Sequence, residues 1–305
     1  LFGADKLMEI KIVNPVEFPY WNESISEMDG VSIFHTSNWA KVLSETYNYK
    51  PMFFIAMESR QIIGFLPLMD VNSFITGHRA VSLPFSDECN PICSDGETFD
   101  LLWDFAKEYG KKKGWNNIQV RGAMPKKGPR TFNKEFFKHE LILEEQENAQ
   151  MKKFRGSTKR NIKKALKYEV KTNDSDSISY VKAFYRLNCF TRKRHGLPPQ
   201  PLKLFRMIQK NILSKGYGYV TLSSLNNKII AGSIFFKFND TITYKYGASI
   251  LEYQKYRANN LIMWNAIKNA ILNGKKMFDF GRTDIDHYGL LQFKRGWTPI
   301  EKKIR

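Results

Sequence analysis

The sequence predicts an α/β (α+β) protein of two tandem units, each a mixed, twisted sheet flanked by helices. Three observations carry that prediction. The order helix, helix, hairpin, strand, helix, strand, strand occurs twice along the 305 residues. Short matches recur in that order at slowly drifting offsets. Gln61–Phe65 matches Ile229–Ser233 at 168 positions, Leu102–Ala106 matches Met263–Ile267 at 161, Val120-Arg121 matches Phe280-Gly281-Arg282 near 160, and Phe137-Lys138 matches Phe293-Lys294 at 156. Finally, charge changes sign at mid-chain. Residues 1–150 carry 16 Lys+Arg against 21 Asp+Glu, a net of −5, and residues 151–305 carry 32 against 9, a net of +23.

The expected units are residues 8–148 and 149–305. Residues 1–7 are left out of the fold reasoning. Met8 to Val13 alternates as a strand does, and Asn22 to Met28 reads as a short helix. Ser37 is placed to cap a helix running to Tyr47. Pro51–Met57 and Gln61–Val71 flank Glu58-Ser59-Arg60 as a β-hairpin, and Pro67 marks the second strand as an edge or a bulge. Ala80–Pro84 is a short strand. Phe99–Lys112 is an amphipathic helix with Leu102, Phe105, Ala106 and Tyr109 on one face, closed by Gly114. Asn117–Val120 and His139–Leu143 are strands, joined by a basic connector, Lys126 to Asn133.

The second unit opens on Met151–Lys167, eight basic residues with no acid. Ser157 is placed to cap a helix whose apolar stripe is Ile162, Ala165 and Leu166. Arg155, Lys159, Arg160, Lys163, Lys164 and Lys167 fill its other faces. A face of one sign repels itself, so a polyanion is the expected partner. Asn173–Ser179 reads as a polar loop, Ser179–His195 and Leu202–Leu213 as helices, with Gly196 closing the first. Tyr217–Ser223 and Ile229–Phe238 form a hairpin about Asn226-Asn227, residues that tolerate positive φ. Asn239-Asp240 turns into the strand Thr241–Gly247. A basic turn, a helix from Asn260 to Asn273, a strand Met277–Phe280 and a glycine-punctuated loop carrying Phe293-Lys294 follow.

Composition excludes several classes. No run approaches the ~18 apolar residues of a membrane helix, and no basic start leads into an apolar secretion segment, so a cytoplasmic location is expected. Three cysteines are too few for a disulfide framework. Asp87-Glu88-Cys89 and Cys93 lack a second ligand pair, so no metal is expected. No Ser/His/Asp arrangement is legible. The basic half points to RNA, a phosphate-linked small molecule or anionic lipid.

Five stretches carry a family resemblance: Tyr244–Ser249, Trp264–Ile267, Phe278-Asp279-Phe280-Gly281-Arg282, Gly289–Lys294 and the basic helix about Arg160–Ala165. The repeated unit resembles the GNAT acyltransferase fold. Two in tandem resemble the FemABX aminoacyl-tRNA-dependent peptidyltransferases and the related proteins with BioF2-like acetyltransferase domains. The resemblance implies a second unit that is catalytic and a first that is degenerate. It implies Lys294 as the residue that stabilises negative charge when an amine attacks an ester carbonyl. It also implies Arg192 and Arg194 as holders of an anionic, amine-bearing acceptor, a task the guanidinium fork suits. Asp279 is a candidate to orient the amine, or else a structural partner of Arg282 or a lysine. Tyr246, Tyr253 and Tyr288 are candidates to stack on adenosine, with core packing the alternative for Tyr246.

The donor stays open at this level. GNAT enzymes cradle a pyrophosphate with Gln/Arg-x-x-Gly-x-Gly/Ala at a helix start. Here Gln254, Arg257 and Asn259 occupy that register, and the two glycine positions carry side chains. An aminoacyl-tRNA or an acyl-CoA is therefore the expected co-substrate, with no tightly bound cofactor. Membrane-surface association through the basic half is a further expectation. The competing readings are a GNAT-type acyl-CoA-dependent acetyltransferase and a non-catalytic RNA-binding or accessory protein.

Overall fold

The computed structural model describes residues 8–122 and 134–304, so the basic connector expected at 126–133 lies outside the described residues. The chain divides into two compact units after Lys134, fourteen residues before the boundary expected at 148/149. Among the described residues no helix is long and apolar enough to cross a membrane.

The first unit runs β1 (Glu9–Val13), α1 (Trp21–Ile25), α2 (Ser37–Tyr47), β2 (Lys50–Glu58), β3 (Gln61–Ser73), β4 (Gly77–Val81), β5 (Ile92–Cys93), α3 (Gly96–Lys113) and β6 (Ile118–Gln119). Its sheet has the order β1-β2-β3-β4-β6, with β5 also on β3. The chain runs antiparallel until β6, which lies parallel to β4. Thr36, not Ser37, caps α2, its hydroxyl accepting from Trp39 N. One face of the sheet buries Phe54, Leu66 and Leu68 under Leu102 and Ala106 of α3. Phe105, expected on that face, is 39% exposed at its rim.

Pro67 corrects an expectation. Its strand is interior, pairing Phe53 on β2. On the other side β5 ends at Phe65 and β4 begins at Met69, so Pro67 occupies the gap between two neighbours. A missing N–H there costs no ladder hydrogen bond.

The second unit begins with β7 (Phe136–Ile142), α4 (Glu147–Lys153), α5 (Gly156–Lys167), β8 (Lys171–Ser175), α6 (Ile178–Arg194) and α7 (Leu202–Asn211). It continues with β9 (Gly218–Leu225), β10 (Lys228–Phe238), β11 (Thr241–Ser249), α8 (Ala258–Leu272), β12 (Met277–Asp284), α9 (Tyr288–Arg295) and β13 (Ile300–Ile304). Its sheet has the order β13-β7-β12-β11-β10-β9-β8. Asn226 and Asn227 both take positive φ at the β9–β10 turn, as expected. Three expectations fail here. The presumed loop at 173–179 begins as the edge strand β8, its backbone paired to β9. The strand placed at the end of the first unit is β7, which pairs β12 and β13 in the second sheet. Phe293-Lys294 lies in the helix α9, not in a loop, so its match to Phe137-Lys138 of β7 joins a helix to a strand and drops out of the repeat.

The other three matches survive as structure. β3 and β10 are each the second strand of a hairpin with a bulge in the matched stretch. α3 and α8 each precede a strand that pairs parallel to an earlier one, β6 on β4 and β12 on β11. α8 is buried nearly all round, because the sheet covers one side and α5 packs on another. Phe235, Phe278, Phe280, Trp264 and Trp297 form the centre of this core.

Candidate active site

The second sheet splits where β11 and β12 diverge. They pair only over Thr241–Thr243 with Met277–Asp279. Beyond that, β11 from Tyr244 to Ser249 stays on β10, and β12 from Arg282 to Asp284 stays on β7. Each strand carries a bulge as it leaves. On β11 Lys245 is the extra residue between the pairs Ile234–Tyr246 and Phe235–Tyr244. On β12 Phe280 and Gly281 together stand against the single residue His139. Bulges bend a strand and end pairing, so they open the split.

The β12 side of the split is held from within. Gly281 takes φ +67, a conformation that side chains resist. Asp279 Oδ1 accepts from Gly281 N at 2.7 Å, so the carboxylate fastens the bulge. Lys294 is 2% exposed, and its Nζ donates to Gly281 O at 2.8 Å and Arg282 O at 3.2 Å. Lys294 therefore faces the interior from a helix, not solvent. Arg282 lays its guanidinium 4.3 Å from the centre of the Phe136 ring.

Behind Lys294 lies a cluster that sequence reasoning missed. His139 Nε2 contacts Glu301 Oε2 at 2.8 Å, and Arg295 binds both Glu301 oxygens at 2.7 and 2.8 Å. Burial, then the Lys294 charge, hold the His139 imidazole below its ordinary pKa, against the pull of Glu301. Arg295 holds the Glu301 carboxyl below the usual range. No local signal marks this group, since its members come from β7, α9 and β13.

The β11 side carries Tyr244, also missed. Its hydroxyl is pushed up to about 12 by burial, with Ser233 as hydrogen-bond partner. A Cβ on Gly247 would stand 1.7 Å from that oxygen, which explains the glycine. Tyr246 packs against Phe205 of α7, ring centres 5.4 Å apart and planes tilted by 60°, in keeping with the packing alternative given above.

Past Ser249 a 3-10 turn, Leu251–Tyr256, leads into α8. Arg257 is the N-cap residue, at φ +62 with no side-chain cap bond. It thus adopts the left-handed backbone of a glycine while presenting an exposed guanidinium. Asn259 is not the cap. It lies inside the first turn, its Nδ2 at 3.4 Å from Ser249 Oγ. Gln254 is exposed, and Tyr253 is half-buried under the Lys228 ammonium at 4.8 Å. No acidic residue occupies the first turn of α8.

The C-terminus of α6 reaches the same end of the sheet. Thr191 Oγ1 accepts from Ser249 N at 3.2 Å, and the His195 ring stands 5.9 Å from His287, the cap of α9. Those two contacts carry Arg192 and Arg194 to the mouth of the split. Arg192 Nε donates to Pro198 O at 3.0 Å, and Arg194 is exposed. Burial first, then Arg194 and His287, lower the His195 pKa.

The basic helix α5 packs on α8, and Tyr168 at its C-terminal end meets Tyr256 beside the α8 start, ring centres 5.0 Å apart. Arg155 N and Thr158 Oγ1 both donate to Gly296 O, at 3.1 and 2.8 Å, which ties its start to the end of α9. Arg155, Arg160, Lys163, Lys164 and Lys167 are exposed, while Lys159 is half-buried with its Nζ on Lys152 O. Leu166, expected in the apolar stripe, is 56% exposed; Thr158 takes its place. Ser157 falls inside the helix, and Arg155 stands at the cap without a side-chain bond.

A groove of about 730 Å³ lies at the other end of the strands, lined by Asp174, Tyr217, Lys237, Asn269 and Asn273. It contains none of the residues just described.

Residues 152–295 match the acetyltransferase (GNAT) domain family. The chain is 34% identical over 105 residues to a lipid II:glycine glycyltransferase of Staphylococcus haemolyticus, covering 32% of this chain and 25% of that protein. It is 34% identical over 82 residues to a lipid II:glycine glycyltransferase of Staphylococcus epidermidis, covering 25% and 20%. The matched segment thus spans a quarter or less of these relatives. Among solved structures, FemX superposes with a TM-score of 0.75 at 15% identity, covering 93% of this chain and 94% of that one. A tandem GNAT protein from the clavulanic acid biosynthesis pathway gives 0.59 at 8% identity, covering 98% and 96%.

Proposed function

We propose that this chain, a tandem of two GNAT-like units with the fold of FemX, is a FemABX-like protein whose second unit is an N-acyltransferase acting in cell-wall precursor synthesis. The observation that carries the reading is the split between β11 and β12. On one side stands the uncapped start of α8 with Arg257, and on the other the buried Lys294 charge at the β12 bulge. The first suits the anionic carrier of an acyl group. The second suits the oxyanion that forms when an amine attacks that group.

The amine nitrogen forms a bond to the carbonyl carbon of the donor ester, and the electron pair moves to the carbonyl oxygen. The pair then returns, the bond to the carrier oxygen breaks, and the proton lost by the amine ends on that oxygen. Lys294 acts by its charge across the bulge. Asp279 acts by position, since its carboxylate already holds Gly281. Arg192 and Arg194, at the mouth, bind the anionic part of the acceptor.

Charged tRNA is the donor favoured here. Arg257 and Asn259 put Cβ atoms where a tight pyrophosphate cradle needs none, and the exposed face of α5 offers a one-signed track for a polynucleotide. An acyl-CoA donor is the second reading, supported by the left-handed Arg257 backbone at the start of α8. Amide formation from labelled charged tRNA, without CoA, tests the first. Lys294→Met is expected to lower the rate by about 10²-fold or more, in a protein that still folds with a melting temperature lowered by the loss of two hydrogen bonds. Turnover with acyl-CoA alone would replace the tRNA reading, and full activity in Lys294→Met would remove the lysine from the chemistry.

A further inference from the structure

The β3–β4 hairpin of the first unit ends in Ser73-Phe74-Ile75-Thr76-Gly77. Phe74 and Ile75 are 107% and 90% exposed, and among the described residues no other adjacent pair of large apolar side chains is so bare. The corresponding β10–β11 turn of the second unit is Asn239-Asp240, so the fold does not require an apolar tip. The tip is also built, not loose. Ser73 Oγ accepts from Ile75 N and Thr76 N, both at 3.3 Å, and Arg79 donates to Thr76 O at 3.0 Å. Turns are ordinarily made of polar residues and glycine, and two bare apolar side chains on a fixed turn have no use in water.

A cationic patch stands beside it. The last turn of α3 presents Lys111, Lys112 and Lys113, all exposed. That end of α3 is fastened to the hairpin. Asn116 N donates to His78 O at 2.8 Å, and Trp115 Nε1 donates to Asp70 Oδ1 at 3.0 Å, the same oxygen that contacts His78. Gly77 has Asn116 Nδ2 within 2.7 Å of where a Cβ would stand, so the turn and the helix end lie against each other. The half of the chain containing this patch has a net charge of −5, so the lysines are a local feature and not a general excess.

We propose that the tip of the β3–β4 hairpin docks on an anionic lipid bilayer, Phe74 and Ile75 entering the interface while Lys111–Lys113 meet the headgroups. Two weak signals together make a stable contact where either alone is marginal: apolar side chains that reach the acyl boundary, and fixed cations within a Debye length of an anionic surface. This contact does not depend on the acyl-transfer reading. It belongs to the unit that lacks the split, and it differs from attraction of the basic second half, which needs no apolar insertion.

Vesicles of phosphatidylcholine with and without phosphatidylglycerol test it with the full chain. Sedimentation at raised salt, which screens the second unit's charge, isolates the inserted part. The double variant Phe74→Ser/Ile75→Ser is expected to bind anionic vesicles at least about ten-fold more weakly, and Lys111→Glu/Lys113→Glu to lose the preference for phosphatidylglycerol. Because all four positions are exposed, melting temperatures should stay near wild type. Emission from Phe74→Trp, above the wild-type background, should be quenched by brominated acyl chains. Unchanged binding by the Ser variant, or no added quenching in Phe74→Trp, overturns the proposal. So does self-association of the lipid-free protein that the Ser variant abolishes, which would make the tip a contact between copies.

Discussion

The helices α3 and α8 occupy the same place in their units, yet they begin with opposite electrostatics. The start of α3 is closed by a carboxylate: Asp95 Oδ1 accepts from Thr98 N at 2.7 Å, with Glu97 in the first turn. Hydrogen bonds from Thr98 and Ser94 hold the Asp95 carboxyl below its usual range. The start of α8 has no side-chain cap and no acid, and Arg257 and Lys255 flank it. A helix N-terminus attracts one negative group. In the first unit the chain supplies that group itself. In the second the position is left for something else, and there the sheet splits, the bulge forms and Lys294 is buried. The first unit fills its helix N-terminus with its own carboxylate, and the second leaves the α8 start without one, as the proposed anionic donor requires.

The largest effect is expected from giving α8 the character of α3. Arg257→Asp should lower turnover with charged tRNA or with acyl-CoA by about 10²-fold, through repulsion at the helix start, while the melting temperature holds. Donor turnover that survives this change would break the contrast between the two helices. Next comes the bulge. Gly281→Ala forces a side chain into left-handed backbone and should cost about 1–2 kcal/mol by denaturant titration, with a larger loss of turnover because the carbonyls that anchor Lys294 shift.

A smaller effect comes from His139, whose imidazole faces Lys294, Glu301 and Arg295. Its folded pKa lies below the unfolded value of 6.5. Below pH 6.5 the unfolded chain therefore binds more protons than the folded one, and stability falls as pH falls. The melting temperature should drop on acidification from neutrality toward pH ~5, above the range where Glu301 titrates. His139→Leu should flatten that slope, and an equal slope in both proteins would remove His139 as its source. The smallest effect is expected in the first unit: Asp95→Ala should lower the melting temperature by a few degrees and leave turnover unchanged.

Much of the fold was legible because it is local. The Asn226-Asn227 and Asn239-Asp240 turns, the Gly114 and Gly196 helix ends, and the helical stripes of α3 and α5 follow from residues within a turn or two of one another. The basic face of α5 was legible too, because charge needs no contact to be counted. Arg192, Arg194, Arg257 and Lys294 were picked from a family resemblance, and the fold brings them to one end of the second sheet. What sequence reasoning missed is informative. Tyr244, His139, Glu301 and Arg295 matter through partners far along the chain, and nothing beside them in sequence announces those partners.

The sequence by itself determined two repeated α/β units, most of their hairpins and helices, and a second half with a strong positive charge. Those properties follow from periodicity and composition, which each residue carries wherever the chain goes. Only the tertiary structure decided which sheet receives Phe136–Ile142, since a strand's pattern states that it must pair and not with whom. It alone decided that Lys294 is buried, because the two carbonyls that accept from its ammonium lie 13 and 12 residues away, on another element. It also decided that β11 and β12 part after three residue pairs. Pairing and burial are set by contacts between distant segments, and the split at the centre of this site consists of such contacts and of their end.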